Sequence, residues 1–344
     1  MGNSNINPNL SNHPGGSHKS PGPKELVEKL RKGDRVALSR AITKIESRQK
    51  KHFEDAREIV ESCLPHSGKS IRIGITGVPG VGKSSFIETF GMHLVDQGKK
   101  LAVLAIDPSS SVSKGSILGD KTRMENLSVH PNAFIRPSAA GDTLGGVARA
   151  TRESILLCEA AGYDYIIVET VGVGQSETAV HGMTDVFLLL MLAGAGDELQ
   201  GIKRGIMELT DLLLINKADG QNLEKAKRAR QEYARAIHFF PPHPGNWTPR
   251  TGICSALENS GIKEVESIIK DYQIQTQENG YWTKKRKDQN RFWFESSVQF
   301  QFMDTLKGEE KFDSLYRKIL KEVEDGKTSA FTGSYNLVQS FLKA

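Results

Sequence analysis

Residues 77–84, Gly-Val-Pro-Gly-Val-Gly-Lys-Ser, constrain this chain more than any other stretch. They fit the pattern of Gly, four residues, then Gly-Lys-Ser or Gly-Lys-Thr, the loop that wraps a polyphosphate between a strand and a helix. The context agrees. Residues 70–76, Ser-Ile-Arg-Ile-Gly-Ile-Thr, read as a buried strand, and Ser85-Phe86-Ile87-Glu88-Thr89-Phe90 as the first turns of a helix. Backbone N–H groups converge on a phosphate only where no Cβ blocks them, which accounts for Gly77, Gly80 and Gly82 among Val78, Pro79 and Val81. The positive end of the helix is then expected to face the β-phosphate, with Lys83 bridging β- and γ-phosphates, the Ser84 hydroxyl on Mg²⁺ and Ser85 donating to the α-phosphate.

Around this loop the chain alternates apolar runs with helix-like segments. The runs at 101–106, 133–136, 163–170, 186–192, 212–216 and 252–255 are too uniformly apolar for strands with one wet face. They predict an α/β fold, a doubly wound and mostly parallel sheet whose ligand sits at the carboxyl ends of the strands. The predicted organisation is a disordered tail at 1–22, N-terminal helices at 23–66, the nucleotide domain at 67–278 and a C-terminal helical region at 279–344. The tail is a polar mixture with almost no apolar anchors. In the N-terminal helices Leu26, Val27 and Leu30 share a face, Gly33 breaks the pattern, and Asp34 caps a second helix carrying Val36, Leu38, Ala41, Ile42 and Ile45. Beyond residue 280, Tyr281, Trp282, Phe292, Trp293, Phe294, Phe300 and Phe302 cluster, a density that suits either a core or an oligomer interface.

Composition excludes more than it selects. The 344 residues carry a formal charge of only +5, with basic residues scattered except at 284–287, a run read as a solvated face, so nucleic acid is not indicated as a partner. No apolar run reaches the length of a membrane span and no secretory signal is visible, which predicts a soluble, intracellular protein without a membrane partner. Cys63, Cys158 and Cys254 lie far apart and read as buried thiols rather than as a disulfide framework or metal cluster.

Four further stretches carry chemistry. Asn216-Lys217-Ala218-Asp219 closes the run 212–215, and a carboxylate at Asp219 can accept from guanine N1–H and the exocyclic amine, a pair of donors adenine lacks. Asn216 is expected to steady the loop and the Lys217 stem to lie over the base. Ser255-Ala256-Leu257 at the next strand end is expected to supply a backbone N–H to guanine O6. Together these make the ligand GTP or GDP. Residues 165–172, Tyr-Ile-Ile-Val-Glu-Thr-Val-Gly, place Glu169 where a carboxylate can bind Mg²⁺ and the Gly172 N–H where it can sense the γ-phosphate. Gln175 is displaced from the position of a water-orienting glutamine. Asp107 and Asp120 are further acids that can support Mg²⁺. Residues 193–203, Ala-Gly-Ala-Gly-Asp-Glu-Leu-Gln-Gly-Ile-Lys, join glycine freedom to charge at the nucleotide edge, as suits a segment that responds to nucleotide state.

Taken together, Gly-Val-Pro-Gly-Val-Gly-Lys-Ser, Ile-Asp-Pro-Ser-Ser, Glu-Thr-Val-Gly-Val-Gly-Gln-Ser-Glu, Asn-Lys-Ala-Asp and the 193–203 loop resemble the methylmalonyl-CoA mutase-associated GTPases, the MeaB/ArgK type, over roughly residues 25–340. The resemblance implies a homodimeric P-loop GTPase, related to the metallochaperone GTPases, that acts as chaperone of an adenosylcobalamin-dependent acyl-CoA mutase, gating cofactor delivery and protecting or rescuing the enzyme. It places Asp107, Asp120 and Glu169 around Mg²⁺, makes 193–203 a third switch with Lys203 its functional lysine, and makes the C-terminal helices a dimer arm. Catalysis would then rest on Lys83, Glu169, Gly172 and Lys203. Hydrolysis is expected to be slow without the partner, since no water-positioning residue or arginine finger is evident and Arg123, Arg149 and Arg152 cannot be ranked. No Asp-x-His-x-x-Gly element is present, which assigns cobalamin to the partner. Residues 1–22 contain no Arg, which favours a bacterial cytoplasm over an organelle. Two alternatives share the core. A nickel-inserting metallochaperone would carry Cys or His ligands that are not visible here, and a transport-associated ATPase or kinase is opposed by residues 216–219.

Overall fold

A computed structural model of the chain describes residues 21–47, 49–106, 124–137, 144–170, 176–194 and 204–342. Gly172, Gln175, Asp107, Asp120, Lys203, Arg123 and most of the 193–203 loop lie outside the described residues, as does nearly all of the tail.

Seven strands form one sheet: β1 (Ile71–Gly77), β2 (Leu101–Ile106), β3 (Ala133–Arg136), β4 (Tyr165–Thr170), β5 (Val186–Leu192), β6 (Leu212–Asn216) and β7 (Arg250–Ile253). Their order is β3-β2-β4-β1-β5-β6-β7 and every pairing is parallel. Helices on both faces leave no wet side, which is why every residue of β2, β4 and β6 is buried and why these strands read as continuous apolar runs. The chain passes outward through β2 and β3 and returns to β4. It then crosses β1 to build β5, β6 and β7 on the other side. The switch of direction falls beside β1, so the crevice at its carboxyl end lies under residues 77–84. Helix Lys83–Asp96 packs tightly at its own Gly91, where an added Cβ would come within 2.6 Å of Leu127 and 2.9 Å of Leu101.

Helices Pro23–Arg31, Arg35–Glu46 and Lys50–Cys63 precede the sheet. Leu26, Val27, Leu30, Leu38, Ala41, Ile42 and Ile45 are buried, and the second helix packs against helix Leu144–Ala160. Asp34 caps that second helix by accepting from the N–H groups of Val36 at 2.8 Å and Ala37 at 3.0 Å. Val36 departs from the sequence pattern: at the first turn it points outward and is 60% exposed.

The chain ends in helices Tyr281–Lys307, Glu310–Glu324 and Ala330–Leu342. The basic run at 284–287 is not a uniform solvated face. Helical spacing puts Lys285 in line with Trp282, Gln289 and Trp293, all four buried. Lys285 Nζ donates to the Asp185 carbonyl at 2.6 Å, and the Arg286 guanidinium forks onto the Asp185 carboxylate with both contacts at 2.7 Å. Lys284 and Lys287 stay exposed. Asp185 precedes β5, so the clamp ties this helix to the end of the sheet opposite the crevice. The aromatics divide in the same way: Trp282 and Trp293 are core, whereas Phe292, Phe294, Phe300 and Phe302 are exposed.

Candidate nucleotide site

The loop after β1 depends on its glycines for two different reasons. Gly77 presses on the neighbouring strand, where a Cβ would stand 2.5 Å from the Leu190 carbonyl. Gly82 has φ of 92° and faces the loop after β6, so a Cβ would stand 2.9 Å from Asn216 Nδ2. Val78 and Val81 are buried beneath the loop, while Pro79, Gly80 and Ser85 are exposed and Gly82, Lys83 and Ser84 are half-buried. Backbone is thus turned outward at the amino end of helix Lys83–Asp96, a cradle suited to anionic oxygens. Lys83 Nζ donates to the Gly77 carbonyl at 2.8 Å, holding the loop closed on itself. Desolvation pulls the Lys83 ammonium below its usual range, and the carboxylates of Glu169 and Glu177 oppose that loss of charge.

Glu169, on β4, is 5% exposed and stands beside Ile75 of β1 and Ala105 of β2 in register. Ser84 and Glu169 are the two predicted Mg²⁺ ligands among the described residues. A hydroxyl and a buried carboxylate are hard oxygen donors that suit that ion. No group of three or more His, Cys, Asp or Glu side chains able to hold a metal occurs among the described residues.

The loops after β6 and β7 form one unit with the phosphate loop. Asn216, 2% exposed, donates from Nδ2 to the Val81 carbonyl at 2.9 Å. Lys217 adopts φ of 57° and its Nζ donates to the Gly80 carbonyl at 2.8 Å, laying its stem along the loop. Ser255 Oγ, fully buried, donates to Asp219 Oδ2 at 2.6 Å, and Ser255 Oγ also accepts from the Glu258 N–H at 3.1 Å. The Ser255 N–H is already given to the Ser260 carbonyl at 3.0 Å, which leaves Ala256 and Leu257 as the donors of that segment for a base oxygen. Leu257 is 86% exposed.

Sequence reasoning missed three contributors. Thr89 Oγ1 lies 3.0 Å from the Ala256 carbonyl and joins the helix to the base-side loop. Cys254 Sγ approaches Asn216 Oδ1 at 3.5 Å, so one of the isolated thiols buttresses the asparagine; burial raises its pKa to about 12. Glu177 is 1% exposed and acts on the Lys83 charge. Its place at the end of Glu-Thr-Val-Gly-Val-Gly-Gln-Ser-Glu marked the family resemblance but not this role, because only the fold buries that position. Of the candidate arginines, Arg152 contacts Glu153 at 3.1 Å and Asn290 at 3.2 Å, and Arg149 lies 5.9 Å from the Phe300 ring centroid; both face the C-terminal helix.

A parallel sheet with this loop at its switch point, and the 216–219 loop clasped to it, defines a P-loop GTPase fold. Residues 38–311 match the family described as methylmalonyl-CoA mutase-associated GTPase MeaB, and the chain belongs to that family. GTPase ArgK of Escherichia coli is 45% identical over 309 residues, covering 90% of this chain and 93% of the relative. The Mus musculus methylmalonic aciduria type A homolog, mitochondrial, is 43% identical over 309 residues, covering 86% of this chain and 74% of the relative. A solved structure titled LAO/AO transport system kinase superposes with a TM-score of 0.74 at 38% identity, covering 94% of this chain and 98% of that one. Guanine nucleotide is the ligand class that follows from membership.

Proposed function

We propose that the chain is a Mg²⁺-dependent GTPase that chaperones an adenosylcobalamin-dependent acyl-CoA mutase, methylmalonyl-CoA mutase first among them, gating cofactor loading and protecting or reactivating the enzyme. The observation that carries this reading is the match of residues 38–311 to a family named for that mutase. The clasp between Asn216 and the Val81 carbonyl supports the GTP half of it.

Water attacks the γ-phosphorus, the bond to the β–γ bridging oxygen breaks, and GDP and phosphate leave. Backbone N–H groups of 77–82 bind the phosphates, Ser85 reaches the α-phosphate, and Lys83 leaves the Gly77 carbonyl to bridge β- and γ-oxygens. Mg²⁺, when bound, neutralises charge on those oxygens, and Ser84 and Glu169 with Asp107 and Asp120 would hold it. Gly172 senses the γ-phosphate and Lys203 relays its presence to the partner. Asp219 reads N1–H and the 2-amino group of guanine, with Asn216 and Lys217 setting the loop, and the Ser255-Ala256-Leu257 segment closes on O6.

A homodimer through 279–344 belongs to the same reading. Phe294, Val298 and Phe302 are spaced along the side of helix Tyr281–Lys307 turned away from Trp282 and Trp293, each at least half exposed. Such a row suits a second copy of the chain. No helix among the described residues is long and apolar enough to cross a membrane. The proposed cycle, as a separate part of this reading, involves neither membrane nor nucleic acid and takes place in the cytoplasm.

The test is steady-state GTP hydrolysis with and without an adenosylcobalamin mutase from the same genome. Stimulation of about tenfold or more that disappears with EDTA and in Lys203→Ala supports the reading. Absence of both stimulation and complex formation removes the chaperone role and leaves a GTPase.

A further inference from the structure

A second concave site lies between the domain and the C-terminal helix, away from the phosphate loop's own cradle. Its volume is about 590 Å³, inside the roughly 300–1,000 Å³ range of small-molecule pockets. Ala148, Ala179, Ile206, Leu209, Trp293 and Phe300 give it an apolar wall drawn from four helices and the turn after one of them. Arg149 is the cation of that wall and Glu177 the acid.

Glu177 is 1% exposed and its carboxylate already supports the Lys83 ammonium on the nucleotide side. Arg149 has a buried Nε with no hydrogen-bond partner among the described residues, and its guanidinium is 5.9 Å from the Phe300 ring centroid. A buried N–H on a cation without an acceptor costs free energy that an anionic oxygen would recover. The apolar wall supplies the rest of the recognition. The row Phe294, Val298 and Phe302 lies on the opposite side of the same helix, so this pocket and the proposed dimer face are separate surfaces.

We propose that this pocket binds a small amphipathic monoanion, an acyl or aromatic carboxylate, with its carboxylate on Arg149 and its apolar body between Ile206, Leu209, Trp293 and Phe300. Glu177 belongs to both this wall and the electrostatic surroundings of Lys83. An occupant therefore sits one side chain from the nucleotide machinery.

The experiment uses the full chain and octanoate as probe, with octylamine as the cation of equal apolar length. Calorimetry is expected to give one octanoate per chain and at least tenfold weaker octylamine, and 2-bromo-octanoate is expected to quench Trp293 fluorescence. Arg149→Met is expected to weaken octanoate about tenfold and leave octylamine unchanged. Ser297→Trp, which fills the pocket from the half-buried side of the helix, is expected to abolish octanoate binding while GDP affinity stays within twofold. Equal binding of octanoate and octylamine, octanoate binding that survives Ser297→Trp, or no octanoate binding at all each overturns the proposal. Loss of octanoate binding only because the oligomer changes, detected by light scattering on the same samples, overturns it too and assigns the pocket to a second copy.

Discussion

Removing the Ser255 hydroxyl isolates what the loop after β7 contributes to base recognition. Ser255 Oγ is buried and donates to Asp219 Oδ2 at 2.6 Å, a charge-assisted bond of a kind worth about 1.5–3 kcal/mol net. The bond is present without nucleotide, so most of that energy stabilises the fold and a smaller part holds the carboxylate ready for guanine. Freezing one polar side chain at the moment of binding costs about 0.5–1.5 kcal/mol. Ser255→Ala is therefore expected to weaken GDP binding about three- to tenfold and to lower stability by about 1–2 kcal/mol. Adenine has no paired donors for Asp219, so ADP affinity should stay within twofold. Competition against a fluorescent GDP analogue by GDP and by ADP, with denaturant unfolding of the same variant, measures both quantities. Equal losses for the two nucleotides would refute the reasoning, because they would show the hydroxyl shaping the whole loop rather than the carboxylate.

Asn216→Ala is the converse case: it breaks the bond to the Val81 carbonyl, so GDP and ADP should both weaken, by about 10- to 100-fold, in the same competition assay. Thr89→Val removes the contact to the Ala256 carbonyl and is expected to cost about three- to fivefold in GDP affinity but nothing for the 2-aminopurine riboside diphosphate, which lacks O6. Arg286→Met leaves Asp185 buried without its bidentate partner, for a loss of about 3 kcal/mol or more in denaturant unfolding, with earlier hydrogen exchange along Tyr281–Lys307. His181 is pushed down to about 4, by burial first and by the Lys285 charge second. The unfolded chain then binds the extra proton between about pH 6.5 and 4, so stability falls as pH drops through that window, by up to about 3 kcal/mol. His181→Phe is expected to flatten that part of the stability curve, and an unchanged slope would show that other groups carry it.

Much of this molecule was legible because its chemistry is local. Strand, glycine loop and helix are contiguous at 70–90, and the apolar runs mark six of the seven strands, whereas β7 starts at Arg250, two residues before the run read at 252–255. The 216–219 loop was legible only as four contiguous letters: the partners of Asn216 and Lys217 are the Val81 and Gly80 carbonyls, far away in the chain. Even the buried thiols were read correctly as a class: Cys63, Cys158 and Cys254 are all free and buried. The basic run at 284–287 was misread because composition is blind to helical phase. Two of its four cations point inward, and only the position of Asp185 and Asp211 beneath the helix makes that tolerable.

What residue order determined by itself was the menu: a parallel α/β sheet, a glycine loop between strand and helix, an Asn-Lys-Ala-Asp segment at a strand end and a helical C-terminus. Tertiary structure decided the assignments within it. Strand order carried Asn216 to Val81, 135 positions earlier in the chain, and Thr89 to Ala256, 167 positions later. It buried Glu177 within the electrostatic surroundings of Lys83 and set the Arg149 guanidinium 5.9 Å from the Phe300 ring centroid. Contacts over such separations depend on which strand lies beside which and on the phase at which each helix docks. Both are settled by packing the whole core at once, and neither leaves a trace in neighbouring letters.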